Sequence, residues 1–167
     1  SFRRGDPDLY QISLSTGEIT IVSGKPGPDM APSFSRDGRR LAFSMTADGN
    51  TELFVAGSDG KSPRRITNNP GIDTSPTWSP TGDYMCYTSD RSGRPNLYVA
   101  NADGMNIRRL TFEGTWNDSP DWAPDGSQIA YVSQMGGAFK IWTIRVDGAQ
   151  AQALTGGPGS DENPKWS

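Results

Sequence analysis

Between residues 75 and 111 short apolar or β-tolerant runs alternate with polar breaks rich in glycine and proline. Residues 75–79 are aromatic and β-tolerant, 84–89 (YMCYTS) form an apolar run, and 97–101 and 107–111 complete a set of four. Each run is of strand length and carries the aromatic and branched residues that suit a pleated surface. The breaks carry turn chemistry. Pro-Thr-Gly separates the first pair, and DRSGRP holds Gly93, free to take positive φ, and Pro95, which cannot donate to a ladder. Asp-Gly pairs at 59–60, 103–104 and 147–148 are hairpin signals. No stretch sustains a helical period, and the Gly and Pro content argues against helices of any length.

The same succession returns every 44 positions. Pro32, Pro76, Pro120 and Pro164 keep that step, as do the aromatics Phe34, Trp78, Trp122 and Trp166 and the turn glycines Gly38, Gly82 and Gly126. Tyr10, Phe54, Tyr98 and Trp142 share another phase. Four strands per repeat of this length predict an all-β fold, a β-propeller of four-stranded blades. A twisted blade cannot bury both faces alone, so the recurring aromatics are expected to fill the seams between blades at roughly 2–3 kcal/mol per ring. The phasing predicts one propeller domain or fragment over 1–167: a partial blade at 1–30, blades at 31–74, 75–118 and 119–162, and the inner strand of a further blade at 163–167. The incomplete fourth blade is thus split between the termini. That favours part of a larger propeller over a small closed ring, and open blade edges would allow self-association.

Composition narrows the chemistry. With 167 residues and a net charge of −3, the chain gives no support to a generic nucleic-acid binder, which would more often show a basic face, and it has no apolar run of membrane-spanning length. The opening SFRRGDPDLYQ has no signal-peptide core, as a mature secreted chain also would not. The complete lack of histidine excludes His-based triads and His-ligated metals within these residues. The single cysteine, Cys86, falls in phase with Ala42 and Ala130 and is expected to be a small core residue. Asp37, Asp125 and the Asp-Gly pairs read as turn residues, so no catalytic constellation emerges and the chain is expected not to be an enzyme.

The stretch SPTWSPTGDYMCYTSDRSGRPNLYVANADGMNIRRLT resembles the repeat of the TolB-type propellers, and the resemblance runs through essentially the whole chain. It departs from the pattern at Arg36, where the phrase usually carries Pro, and in the first copy, where Ser15-Thr16-Gly17 forms the turn. The resemblance implies a periplasmic or secreted, non-enzymatic scaffold of the Tol–Pal system for cell-envelope maintenance, which binds the lipoprotein Pal at the mouth of its channel. Similar repeats also occur in propellers that gate prolyl-oligopeptidase-like serine peptidases, which is the alternative function.

Loops entering the inner strands should gather at one mouth. They read GKPGPDMA (24–31), NNPGIDTS (68–75), FEGTWNDS (112–119) and GGPGSDEN (156–163). One phase holds Asp29, Asp73, Asn117 and Asp161, and the next adds Asp118 and Glu162. Such carboxylates would suit a basic partner segment, and an oxygen-only cluster is also a candidate holder of Ca²⁺; no other cofactor is expected. The favoured reading is that Asp at this phase caps a turn, a role compatible with partner contact. If contact dominates, neutralising Asp73 and Asp161 should weaken binding and leave stability nearly intact. Trp116 has Pro28, Ile72 and Ser160 as counterparts, so it stands outside the repeated core and reads as a hot-spot contact or as cover for its own loop.

Overall fold

The computed structural model describes residues 8–22 and 27–166. The expected features at 1–7, 23–26 and 167, including the start of the GKPGPDMA loop, lie outside the described residues. A two-stranded sheet, β1 (Tyr10–Ile12) and β2 (Ile19–Ile21), comes first. Three antiparallel meanders of four strands follow. The first sheet is β3 (Asp29–Phe34), β4 (Arg40–Ala47), β5 (Asn50–Gly57) and β6 (Arg64–Arg65). The second is β7 (Asp73–Trp78), β8 (Tyr84–Ser89), β9 (Asn96–Asn101) and β10 (Arg108–Arg109). The third is β11 (Trp116–Trp122), β12 (Gln128–Gln134), β13 (Phe139–Arg145) and β14 (Gln152–Ala153). The all-β, blade-like architecture matches the expectation, and no helix occurs among the described residues. Residues 163–166 keep the inner-strand phase but pair with no strand among the described residues.

Local chemistry closes each hairpin. At the first turn of the second sheet Gly82, with φ of 77°, donates its N–H to the Ser79 carbonyl at 2.9 Å. At the Asp-Gly turns the carboxylate accepts a backbone N–H two residues on, as Asp103 does from Met105 at 3.0 Å. The outer strands are shorter than expected, two residues each, because a threonine ends the ladder. The Thr111 hydroxyl takes the Leu97 N–H at 2.9 Å, where a backbone carbonyl would otherwise accept it. Thr67 does the same for Leu53 at 2.9 Å and Thr155 for Ile141 at 3.1 Å.

Each inner strand carries one extra residue. The register slips between Met30 and Ser33, Thr74 and Thr77, and Asp118 and Asp121. Ala31, Ser75 and Ser119 within these bulges have φ of 51°, 53° and 53°, and Asn163 repeats the conformation at 55°. The following proline has no N–H to lose from the interrupted ladder, which explains why it sits there.

Apolar residues of adjacent sheets meet in seams. Ala42 and Leu53 of the first sheet pack on Trp78, Met85, Tyr87 and Tyr98 of the second. Cys86, Leu97, Val99 and Leu110 of the second pack on Trp122, Ile129, Tyr131 and Ile144 of the third. The Trp78 and Trp122 indoles are buried, and their Nε1–H groups donate to the Ser33 and Thr77 carbonyls of the preceding inner strand at 3.1 and 3.2 Å. Phe34 and Trp166 depart from the expected stack, at 51% and 39% exposed. Phe34 faces the side of the β1–β2 pair, where no inner strand covers it among the described residues. Trp166 lies in the unpaired segment, tied by its backbone N–H to the Asp121 carboxylate at 2.8 Å.

Candidate functional site: the channel rim and the polar seams

The inner strands and the segment at 163–165 surround a cavity of about 210 Å³, walled by the bulge residues and their prolines. Their N-terminal ends therefore share one mouth, and the residues just before each bulge form its rim. The structure separates the site residues expected there into two groups.

Asp29, Asp73 and Asn117 are buried. The Asp73 carboxylate pairs with Arg91 at 2.9 Å and accepts from the Asn69 amide at 2.6 Å. Burial pushes this carboxyl above the usual carboxylate range, against the opposing pull of Ser89, Arg91 and Thr67. Asn69 also donates its N–H to Glu52 of the first sheet at 3.1 Å, and Glu52 pairs with Arg65 at 2.8 Å. The result is a buried chain of two carboxylates and two guanidiniums that crosses the seam. Asn117 occupies the same position one repeat later, but its amide meets Asn96 at 3.2 Å and the Glu113 carbonyl at 2.8 Å, while Ser133 donates to its oxygen at 2.8 Å. Asp161, partly exposed, pairs with Lys140 at 3.0 Å. A hydrogen bond from Thr155, with Lys140 beside it, holds its carboxyl below the usual range. Each repeat thus carries a different polar pair at one position. These side chains hold the strand ends, and substitution at Asp73 is expected to act on stability, which differs from the nearly neutral effect inferred from the loop reading.

The second group faces outward. Trp116 is 43% exposed and Glu162 is exposed, while Asp118 is half-buried. Trp116 is the first residue of β11, opposite Gln134, rather than a loop residue. Thr115 extends the ladder by giving both its N–H and its hydroxyl to the Gln134 carbonyl, at 3.0 and 3.2 Å. The Asp118 carboxylate is oriented by the Thr88 hydroxyl at 2.7 Å and the Ser119 N–H at 2.5 Å. Met30 and Ile72, 41% and 50% exposed, occupy the same two phases in other repeats and were not singled out by the sequence. Their signal was their position: Ile72 is the counterpart of Trp116, and Met30 of Asp118. The rim therefore presents Met30, Ile72 and Trp116 as exposed apolar side chains, with the acids Asp118 and Glu162 in the neighbouring phase. Among the described residues no three carboxylate or thiol side chains converge closely enough to hold a metal ion.

Cys86 is fully buried in the seam between the second and third sheets, and burial pushes its thiol far above the ordinary value. We expect the native protein to resist a maleimide at neutral pH and to react once urea unfolds it, because the thiolate is the nucleophile. Rapid labelling of the folded chain, followed by mass spectrometry, would contradict this placement.

Comparison with known proteins agrees with this architecture. Residues 1–167 match the family described as the TolB beta propeller domain. The Tol-Pal system protein TolB of Francisella tularensis subsp. mediasiatica is 32% identical over 71 residues, which cover 41% of this chain and 16% of that protein. The crystal structure of TolB from Acinetobacter baumannii superposes with a TM-score of 0.84 at 31% identity, over 97% of this chain and 41% of that one. A puromycin hydrolase mutant structure shares the fold alone, with a TM-score of 0.70 at 19% identity over 89% of this chain and 25% of its own. The chain spans well under half the length of these relatives. Its repeat, its three meanders and the match over residues 1–167 lead to one assignment: the chain belongs to the TolB β-propeller domain family.

Proposed function

We propose that this chain is a non-enzymatic, protein-binding part of a periplasmic TolB-like scaffold, and that its channel rim engages the lipoprotein Pal. The observation that carries the reading is Trp116, a large exposed aromatic at the rim with the Asp118 and Glu162 phase beside it. An amphipathic aromatic next to an oriented acid suits a segment with an apolar anchor and basic neighbours. The similarity to Tol-Pal system proteins supports the partner class. A gating role beside a peptidase has the fold likeness to the puromycin hydrolase on its side and no rim feature.

The test is titration of the soluble domain of Pal while following tryptophan fluorescence. Binding should change the Trp116 signal, and Trp116→Ala should weaken it by about 2 kcal/mol, roughly 30-fold. Absence of binding by a chain with an intact β-sheet circular dichroism spectrum would remove Pal as the partner.

A further inference from the structure

At one place on the mouth face the repeat loses its acids and keeps its cations. On β6 the Arg65 Nε–H donates to the Thr67 carbonyl at 2.8 Å. The other nitrogens of Arg65 pair with Asp48 and Glu52, each at 2.8 Å, and donate to the Asn68 side chain at 2.9 Å. On β10, Arg109 keeps only the first of these bonds, to the Thr111 carbonyl at 2.6 Å. One repeat after Asp48 and Glu52 stand Ser92 and Asn96, and after Asn68 stands Phe112. Arg109 lies against this ring, its guanidinium carbon 4.8 Å from the ring centre. Arg94 occupies the position of Asn50 and is directed at the Phe112 carbonyl at 3.4 Å. Among the described residues no carboxylate pairs with Arg94 or Arg109. The third repeat has none of the three side chains, with Ala138, Ala153 and Gly156 in their places.

The group is fastened by the buried amides beneath it. Asn96 donates to the Arg94 carbonyl at 2.8 Å and accepts from the Asn117 amide at 3.2 Å. Asn117 donates in turn to the Glu113 carbonyl at 2.8 Å, and its backbone N–H to the Pro95 carbonyl at 3.0 Å. The loop that carries Arg94 and the loop that carries Phe112 are therefore tied together next to the residues they display. Phe112 is 65% exposed, and Arg94 is exposed as well. The stack on Phe112 and the bond to Thr111 orient the Arg109 guanidinium, whose two terminal nitrogens meet no acceptor among the described residues. An open aromatic ring flanked by two such guanidiniums has the composition of a contact surface.

The geometry points to Arg94, Arg109 and Phe112 as a docking site for an acidic segment of a partner polypeptide, which brings a carboxylate to the guanidiniums and an apolar side chain to the ring. The planar guanidinium matches a carboxylate with two parallel hydrogen bonds, and the ring offers apolar area beside them. A discrete carboxylate fits better than a polyanion because Glu113, next to Phe112, is exposed and the chain carries a net charge of −3. A phosphate backbone or an anionic membrane would spread negative charge against Glu113, which a single side chain avoids. The patch is opposite in sign to the acidic phase at the rim, and the inference stands whether or not Pal binds there.

The experiment titrates the folded chain with a blocked peptide Gly-Leu-Glu-Leu-Glu-Gly and with the same peptide carrying Gln for Glu. Arginine Nε–H and backbone amide resonances are followed by nuclear magnetic resonance. The acidic peptide should shift the Arg109 Nε–H and lose affinity as salt is raised, and the Gln peptide should leave that signal in place. Arg94→Gln and Arg109→Gln should each weaken binding about fivefold, the upper range for an exposed ion pair, and Phe112→Ala should weaken it as well. Arg39→Gln, in the exposed turn between β3 and β4 at the other end of the inner strand, is the control and should change nothing. Arg94 and Phe112 are exposed, so their variants give a reading even if circular dichroism shows that Arg109→Gln misfolds. Equal binding of the two peptides, no shift with either, or unchanged affinity in Arg94→Gln and Phe112→Ala overturns the proposal. A single-stranded oligonucleotide or phosphatidylglycerol vesicles that shift Arg109 when the acidic peptide does not overturn the polypeptide assignment.

Discussion

Trp122→Ala should lower the stability of the chain by about 3–5 kcal/mol, the range for removing a large buried aromatic. For a chain of this size that is on the order of 10 °C in Tm. The indole is 7% exposed, sits in the second–third seam beside Leu97, Leu110 and Tyr131, and donates to the Thr77 carbonyl. Two components can be separated. Trp122→Phe keeps most of the ring burial and loses the N–H, leaving the Thr77 carbonyl without that donor, so its cost should be about 1–2 kcal/mol. Phe34→Ala supplies the control: the ring at the same phase is 51% exposed and should cost well under half as much. Urea melts of the three variants check the order. Equal losses at Trp122 and Phe34 would mean that the aromatic phase does not stabilise through seam burial.

The second large effect is expected at Asp73. Its side chain is fully buried and Arg91 is only 18% exposed, so Asp73→Ala strands a guanidinium in a mostly dry seam. Breaking such a pair from one side costs about 3–5 kcal/mol. The pH dependence has a definite sign. Burial raises the folded-state carboxyl above its ordinary value of 3.8, so between 3.8 and the raised value the native state binds more protons than the unfolded chain. The contribution of this group is fully present below 3.8 and is lost as pH rises through the folded value. Asp73→Asn, which cannot titrate, should remove that fall from the stability profile. A wild-type curve that rises over the same acidic interval while the variant stays flat would show that the Arg91 pairing outweighs burial.

The fold was legible because its signals are local and repeated. Turn glycines, Asp-Gly pairs and aromatics at a constant step specify meanders without knowledge of distant contacts. The bulge at Ala31, Ser75 and Ser119 was legible only as a proline in phase; its left-handed residue depends on how two strands fail to match, which no single strand records. The site was half legible. Trp116 stood out by breaking the repeat and is exposed, whereas Asp73 and Asn117 were placed correctly in phase but are buried. Their partners show why. Asp73 is bonded by Arg91, 18 residues on in its own sheet, and is linked through Asn69 to Glu52 of the preceding sheet, while Asn96 is 21 residues from Asn117 on the preceding sheet, so the burial comes from contacts distant in sequence and leaves no mark in either loop. The exposure of Phe34 has the same origin: a residue's phase says which seam it faces, and only the neighbouring sheet decides whether anything covers it.

The polar pairs repeated at the inner-strand ends also bear on how such a chain avoids folding wrongly. Blades built from near-copies share the same aromatic wedge, so any blade could in principle dock on any other, and misassembly between like units is the characteristic hazard of repeats. The apolar surfaces cannot tell neighbours apart. The pairs can: Glu52 and Asp73 meet with Asn69 between them and an arginine on each side, Asn96 meets Asn117, and Lys140 meets Asp161. A blade docked one place out of order would set Lys140 against an amide, or Glu52 against Asn117 without the Asn69 bridge, burying charge without its partner. Such a penalty would act against blades docking out of order, as unpaired charge does against a wrong partner.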